Sequence, residues 1–172
     1  MNMDIKNVDL GVFIKPVTQH NQIKNDILSA IEKMGTHSLI EGHVRVSNTD
    51  WHLASSYDRA YRHFMFDSVK EHCEELKRVL DYTTKIEPDT FWFQQYETGD
   101  FHDWHVHKYS MFSNVYYVEL PEGSANTTFR FLGREFQVKV KEGDILTFPS
   151  FLEHCSKPNE STRKTVVSFN SN

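Results

Sequence analysis

Imidazoles spaced two apart in a strand can share one metal ion, and this chain contains such a pair. His105 and His107 close the run Phe101-His102-Asp103-Trp104-His105-Val106-His107. Residues i and i+2 of a strand project from one face, so both rings would enter the same interior. Neutral imidazoles make good ligands for iron and zinc. Taken alone the pair is weak, because ten histidines in 172 residues give such spacings by chance. A second feature is Gly143-Asp144-Ile145-Leu146-Thr147-Phe148-Pro149-Ser150-Phe151-Leu152-Glu153-His154, where a strand ends in Phe-Pro-Ser and the chain turns to present His154. The third is Arg163, nine residues further on, in the next strand candidate. A guanidinium inside a barrel needs an anion, and its planar fork matches a carboxylate with two bonds. Each feature is weak by itself, but their order and spacing together are not.

The elements that must position these residues change in texture near residue 88. Before it the chain reads as helical or mixed. Ile23, Ile27, Ile31 and Met34 form one stripe of a helix over about 19–34, with Thr18 as N-cap and Gly35 as the stop. Val69, Cys73, Leu76 and Leu80 form the stripe of a second over about 68–82, opened by a Ser68–Glu71 capping box. Residues 57–66 read as a further helix running into it, and 12–14 and 43–47 as short strands. After Pro88 the pattern is almost entirely β. Strands are expected at 90–96, 104–107, 113–120, 127–132, 135–140, 145–148 and 165–169, with a tight hairpin at Gly133. Many short strands after two helices suggest a β-sandwich or jelly roll with the helices packed outside.

Composition narrows the field further. Nineteen Lys and Arg against 24 Asp and Glu give a net charge of −5, a poor match for a nucleic-acid or anionic-membrane binder. The length suits one domain with a sizeable core. The two cysteines, Cys73 and Cys155, make no CxxC pair and suit a reducing compartment. The first 13 residues lack the pattern of a signal peptide, and no apolar run reaches the roughly 20 residues that span a bilayer. A cytoplasmic protein is expected.

Residues 91–170 resemble the iron(II)/2-oxoglutarate-dependent oxygenases, in the prolyl-hydroxylase-like branch with small bacterial and phage-type members. The resemblance lies in Tyr96-Glu97-Thr98-Gly99-Asp100-Phe101-His102-Asp103-Trp104-His105-Val106-His107, in Val115-Tyr116-Tyr117-Val118, in the Gly143–His154 segment, and in Pro158-Asn159 followed by Arg163 and Ser168-Phe169-Asn170. It implies an α+β, mainly β fold: a double-stranded β-helix (a cupin-like jelly roll) over 89–172, supported by a helical and mixed region over 1–88, in a single domain. It also implies a metal centre of His105, His107 and His154. His107 stands where the family usually has a carboxylate, and Asp103 ranks behind it as a substitute. Arg163 would face the distal carboxylate of 2-oxoglutarate, with Tyr117, Tyr96 and Thr165 assisting. Phe91, Trp92, Phe93, Phe101 and Trp104 are candidate wall residues, with ordinary sheet core as the alternative for each. The implied cofactors are Fe(II), 2-oxoglutarate and O2, with ascorbate as an accessory. The implied reaction hydroxylates a C–H bond of a peptide (prolyl) or small-molecule substrate, releasing succinate and CO2. Two alternatives stay open: a three-histidine cupin-like dioxygenase that does not use 2-oxoglutarate, and a non-catalytic metal-binding jelly-roll module.

Overall fold

Strand residues alternate between two faces, so a strand covered on both sides serves two interiors at once. In a computed structural model, residues 10–35 and 37–172 are described. The first nine residues, most of the stretch read above for a leader pattern, lie outside them. The described chain forms two six-stranded antiparallel sheets and two helices. The first sheet runs, in spatial order, β1 (Phe13–Pro16), β10 (Asp144–Pro149), β7 (Phe112–Glu119), β12 (Arg163–Ser171), β5 (Pro88–Glu97) and β4 (Asn48–Thr49). The second runs β2 (Leu39–Glu41), β3 (Val44–Val46), β6 (Phe101–His105), β11 (Glu153–Ser156), β8 (Thr127–Phe131) and β9 (Arg134–Gln137). This is the double-stranded β-helix expected from the sequence.

Period-two alternation divides the first sheet cleanly. Phe91 and Phe93 of β5, Tyr116 and Val118 of β7, and Val167 and Phe169 of β12 face the helices. There they meet Ile27 and Ile31 of α1 (His20–Lys33) and Val69, Cys73 and Leu76 of α2 (Tyr61–Val79). Burying each large apolar side chain of this core contributes about 1.5–3 kcal/mol. The intervening residues point the other way. Trp92, Gln94 and Tyr96 of β5, Val115 and Tyr117 of β7, and Lys164, Val166, Ser168 and Asn170 of β12 line a cavity between the sheets. The β8–β9 hairpin turns through Leu132 and Gly133, both at positive φ, as a two-residue hairpin turn of the I′ kind requires.

Several expected boundaries differ. The first helix starts at His20 with Gln19 as its N-cap, and no side chain caps it, so Thr18 has no such role. Residues 61–79 form one continuous helix, and Ser68 lies inside it rather than at a capping box. No glycine or proline interrupts that stretch, so nothing breaks the ladder there. Strands β2, β4 and β11 are too short to show a pattern, and His154 sits within β11 rather than on a turn. Segments before residue 88 also join both sheets. β1 pairs with β10, β4 with β5, and β3 with β6.

The segment between β4 and α2 is irregular but tightly held. Asp50, fully buried, accepts hydrogen bonds from Arg59 Nε (2.7 Å), Tyr61 Oη (2.9 Å) and the Phe93 backbone N–H (2.8 Å). Arg59 also donates to the carbonyls of Asp50, Leu53, Ala54 and Tyr57. One buried ion pair thus organises the loop that carries Trp51 and His52. Among the described residues no helix is long and apolar enough to cross a membrane. Both cysteines are free and buried.

Candidate active site

A cavity of about 760 Å³ opens between the two sheets. Three histidines converge in it. His105 of β6 and His154 of β11 are direct partners across the second sheet. His107 lies just past the end of β6, where its backbone N–H donates to the Ser150 carbonyl (3.0 Å). One ring nitrogen of each lies within 4.8 Å of the other two.

Hydrogen bonding decides which nitrogen that is. Each Nδ1 lies against an oxygen acceptor: the Asp103 carbonyl for His105 (2.7 Å), Asn170 Oδ1 for His107 (2.8 Å) and the Leu152 carbonyl for His154 (2.9 Å). An N–H at Nδ1 satisfies each acceptor and leaves the Nε2 lone pair free. Burial pushes His105 down to about 4, and holds His107 and His154 below the ordinary imidazole range. All three rings are therefore neutral near neutral pH and able to ligate. Three anchored, neutral imidazoles aimed at one point fit a divalent metal ion. Asp103 does not join them. Its side chain is exposed and accepts from its neighbour's Trp104 N–H (2.7 Å).

A fourth imidazole stands beside the three. The β6–β11 register shifts between the pairs His105–His154 and His102–Ser156, so three steps on β6 match two on β11. Such a bulge re-aims a side chain. His102 enters the same cavity and stacks face to face on His105, with centroids 3.8 Å apart and planes 11° from parallel. A strand expected only over 104–107 leaves His102 in a loop, whereas the observed β6 begins at Phe101 and includes it.

The other part of the cavity holds a buried cation, Lys164, 3% exposed. Its Nζ donates to the Ala125 carbonyl (2.9 Å) and Ser156 Oγ (2.6 Å) and lies over the Tyr96 ring (4.2 Å). No carboxylate pairs with it among the described residues, and burial pushes it down to about 7. Tyr117 lines the same region and hydrogen-bonds Thr127 Oγ1 (2.7 Å), while burial raises both Tyr96 and Tyr117.

Arg163, the expected anion partner, lies outside this cavity. It makes a two-bond ion pair with Glu119 (Nε to Oε2 3.0 Å, Nη2 to Oε1 2.9 Å), and Thr165 donates to the same carboxylate. The reason is phase: adjacent strand residues face opposite ways, and β12 turns Lys164 inward and Arg163 outward. Of the expected wall residues, Trp92 lines the cavity, Phe91 and Phe93 face the helices, and Phe101 and Trp104 do not line it. The mouth also draws on the first half of the chain. Trp51 stands edge-on to Trp92 (4.9 Å), which in turn lies 5.4 Å from His107. His52, Leu39, Glu41 and His43 complete that wall. None of these carried a signal readable in the sequence.

No protein-family model matches the chain, and no curated protein sequence is significantly similar to it. Solved structures are similar in fold. An oxidoreductase of the 2OG-Fe(II) oxygenase family from Burkholderia pseudomallei superposes with a TM-score of 0.76 at 8% identity, over 94% of this chain and 85% of that one. The viral collagen prolyl hydroxylase of Paramecium bursaria Chlorella virus-1, solved with 2-oxoglutarate, gives 0.66 at 15% identity over 93% and 94%. The non-heme alpha-ketoglutarate-dependent epimerase SnoN of nogalamycin biosynthesis gives 0.72 at 11% identity over 95% and 78%.

Proposed function

We propose that this chain, which has the fold of the 2OG-Fe(II) oxygenases, is itself a metal- and 2-oxoglutarate-dependent oxygenase. One observation carries the reading. A single cavity holds three anchored neutral imidazoles and, apart from them, a buried lysine with no acidic partner among the described residues. An uncompensated buried cation is costly, so the cavity calls for an anionic ligand.

In this reading His105, His107 and His154 hold Fe(II) through Nε2. Lys164 takes the distal carboxylate of 2-oxoglutarate, and the hydroxyls of Tyr117 and Thr127 border it. The cavity exceeds the needs of a ten-heavy-atom co-substrate and leaves room for part of a substrate beside the metal. Bound iron with 2-oxoglutarate and dioxygen supplies the oxidising power to functionalise a C–H bond, with release of succinate and CO2. The protein's residues anchor the ligands and exclude water. The Trp51–Trp92 wall offers a substrate an apolar ring surface next to His107. A prolyl residue of a peptide or a small cyclic molecule suits such a wall. Collagen prolyl hydroxylase and the SnoN epimerase bracket the range of reactions considered.

The test is anaerobic titration of 2-oxoglutarate into the Mn(II)-loaded protein. Lys164→Ala is expected to weaken binding about ten- to hundredfold, the loss of one charge-assisted pair. Arg163→Ala should leave it unchanged. Equal binding by wild type and Lys164→Ala sinks the reading.

A second reading is favoured by His107. Three neutral ligands leave a metal ion its full double charge, as in a three-histidine dioxygenase that needs no 2-oxoglutarate. Iron-dependent oxygen uptake without succinate formation would establish it.

A further inference from the structure

The cavity holds one half-buried imidazole that the metal triad does not use. His102 reaches it only through the bulge in β6, and it stacks on His105 at 3.8 Å. Its hydrogen bonding differs from that of the triad. Each triad Nδ1 faces an oxygen acceptor, whereas His102 Nδ1 faces a donor, the Gln94 Nε2 amide (3.4 Å). A neutral ring that accepts at Nδ1 carries its proton at Nε2. With the Gln94 amide donating, His102 takes the opposite tautomer to its three neighbours. Its Nε2 has no partner among the described residues, yet it is not sealed from the cavity. That N–H needs an acceptor from whatever occupies the space beside His105.

The triad explains what the acceptor would be. Three uncharged ligands do nothing to neutralise a divalent ion, so it recruits an anion. Anions on a metal are held better when a neighbouring N–H donates to them. We infer that His102 is a donor to the metal's anionic ligand: its Nε2–H hydrogen-bonds an oxyanion, such as a carboxylate, coordinated next to His105. The assignment rests on the metal-centre part of the function proposed above and not on the identity of the co-substrate. Gln94 is then a positioning residue, because its amide fixes the tautomer.

Two variants separate donation from stacking. His102→Phe keeps a flat ring on His105 and removes the N–H, whereas His102→Gln restores an amide donor. Co(II) is titrated into each protein by calorimetry, and oxalate is then titrated into each Co(II)-loaded protein with the visible spectrum recorded. Co(II) affinity should stay within about threefold in both variants. Oxalate affinity should fall about ten- to hundredfold in His102→Phe and recover most of that loss in His102→Gln. Unchanged oxalate binding by His102→Phe overturns the inference. So does loss of Co(II) binding by a folded His102→Phe protein, since that would make His102 a ligand. If wild type binds oxalate with this dependence on His102 yet ignores 2-oxoglutarate, the inference stands and the co-substrate reading falls. Failure of wild type to bind Co(II) overturns both.

Discussion

Asn170 gives His107 what backbone carbonyls give His105 and His154, an oxygen at Nδ1. It is the only one of the three acceptors that a point mutation can delete. Asn170→Ala should weaken Co(II) binding about 10–100-fold, the usual cost of losing such an orienting partner. Competition against a coloured chelator measures it, and an unchanged affinity would mean His107 is not a ligand. At this scale the sequence was partly legible. His105 and His107 could be paired because period-two spacing needs no tertiary information. His102 could not, because a bulge depends on how a second strand pairs. Lys164 was missed for a related reason. Arg163 and Lys164 are adjacent cations, and only the sheet decides which of them faces inward.

The loop between β4 and α2 stands on one buried ion pair. Arg59→Ala would remove five donated bonds and leave the Asp50 carboxylate buried without its cation. Breaking such a pair costs about 3–5 kcal/mol. Urea unfolding monitored by circular dichroism should show a correspondingly lower midpoint, and a midpoint within experimental error of wild type would contradict this account. Trp51 fluorescence should also change, since its loop loses its frame. Nothing in the sequence announced the loop, because an Asp and an Arg nine residues apart are unremarkable. The long strands were legible from their Val, Phe and Tyr content, whereas β2 and β4 were not, having three and two residues. The two helical stripes were legible too, but the join between residues 66 and 68 was not a boundary.

Across the whole molecule, helix and sheet meet at His72. Thr147 donates to Asn114 Oδ1 (2.6 Å), so its oxygen accepts from His72 Nε2–H (2.6 Å). His72 Nδ1 then carries a lone pair and has no partner among the described residues. Burial, aided by the Lys15 charge, pushes His72 down to about 4. In the unfolded chain it takes a proton near 6.5. Between those values the unfolded state holds more protons, so stability is full above about 6.5 and falls as the pH drops toward 4. One such shift amounts to about 3 kcal/mol. His72→Gln should lose less stability than wild type between about pH 7 and pH 4.5 in paired urea melts. Equal losses would show that His72 is not the proton sink. The jelly-roll layout was the most legible property, because many short strands after two helices announce it, while the double-stranded β-helix was implied by the resemblance of residues 91–170.

β12 brings Lys164 and Asn170 into one cavity along a single inner face. The anion anchor proposed at Lys164 and the brace of the proposed ligand His107 therefore share one register. A slip of one residue would exchange Lys164 for a neighbour and turn Phe169 toward His107 in the same move. Insertion of one residue between Val166 and Ser168 would put Lys164 and Asn170 on opposite faces, so the protein should keep at most one of metal binding and anion binding, read by Co(II) and oxalate titration. The two positions are thus strung on one strand, and no odd change of length between them leaves both facing the cavity.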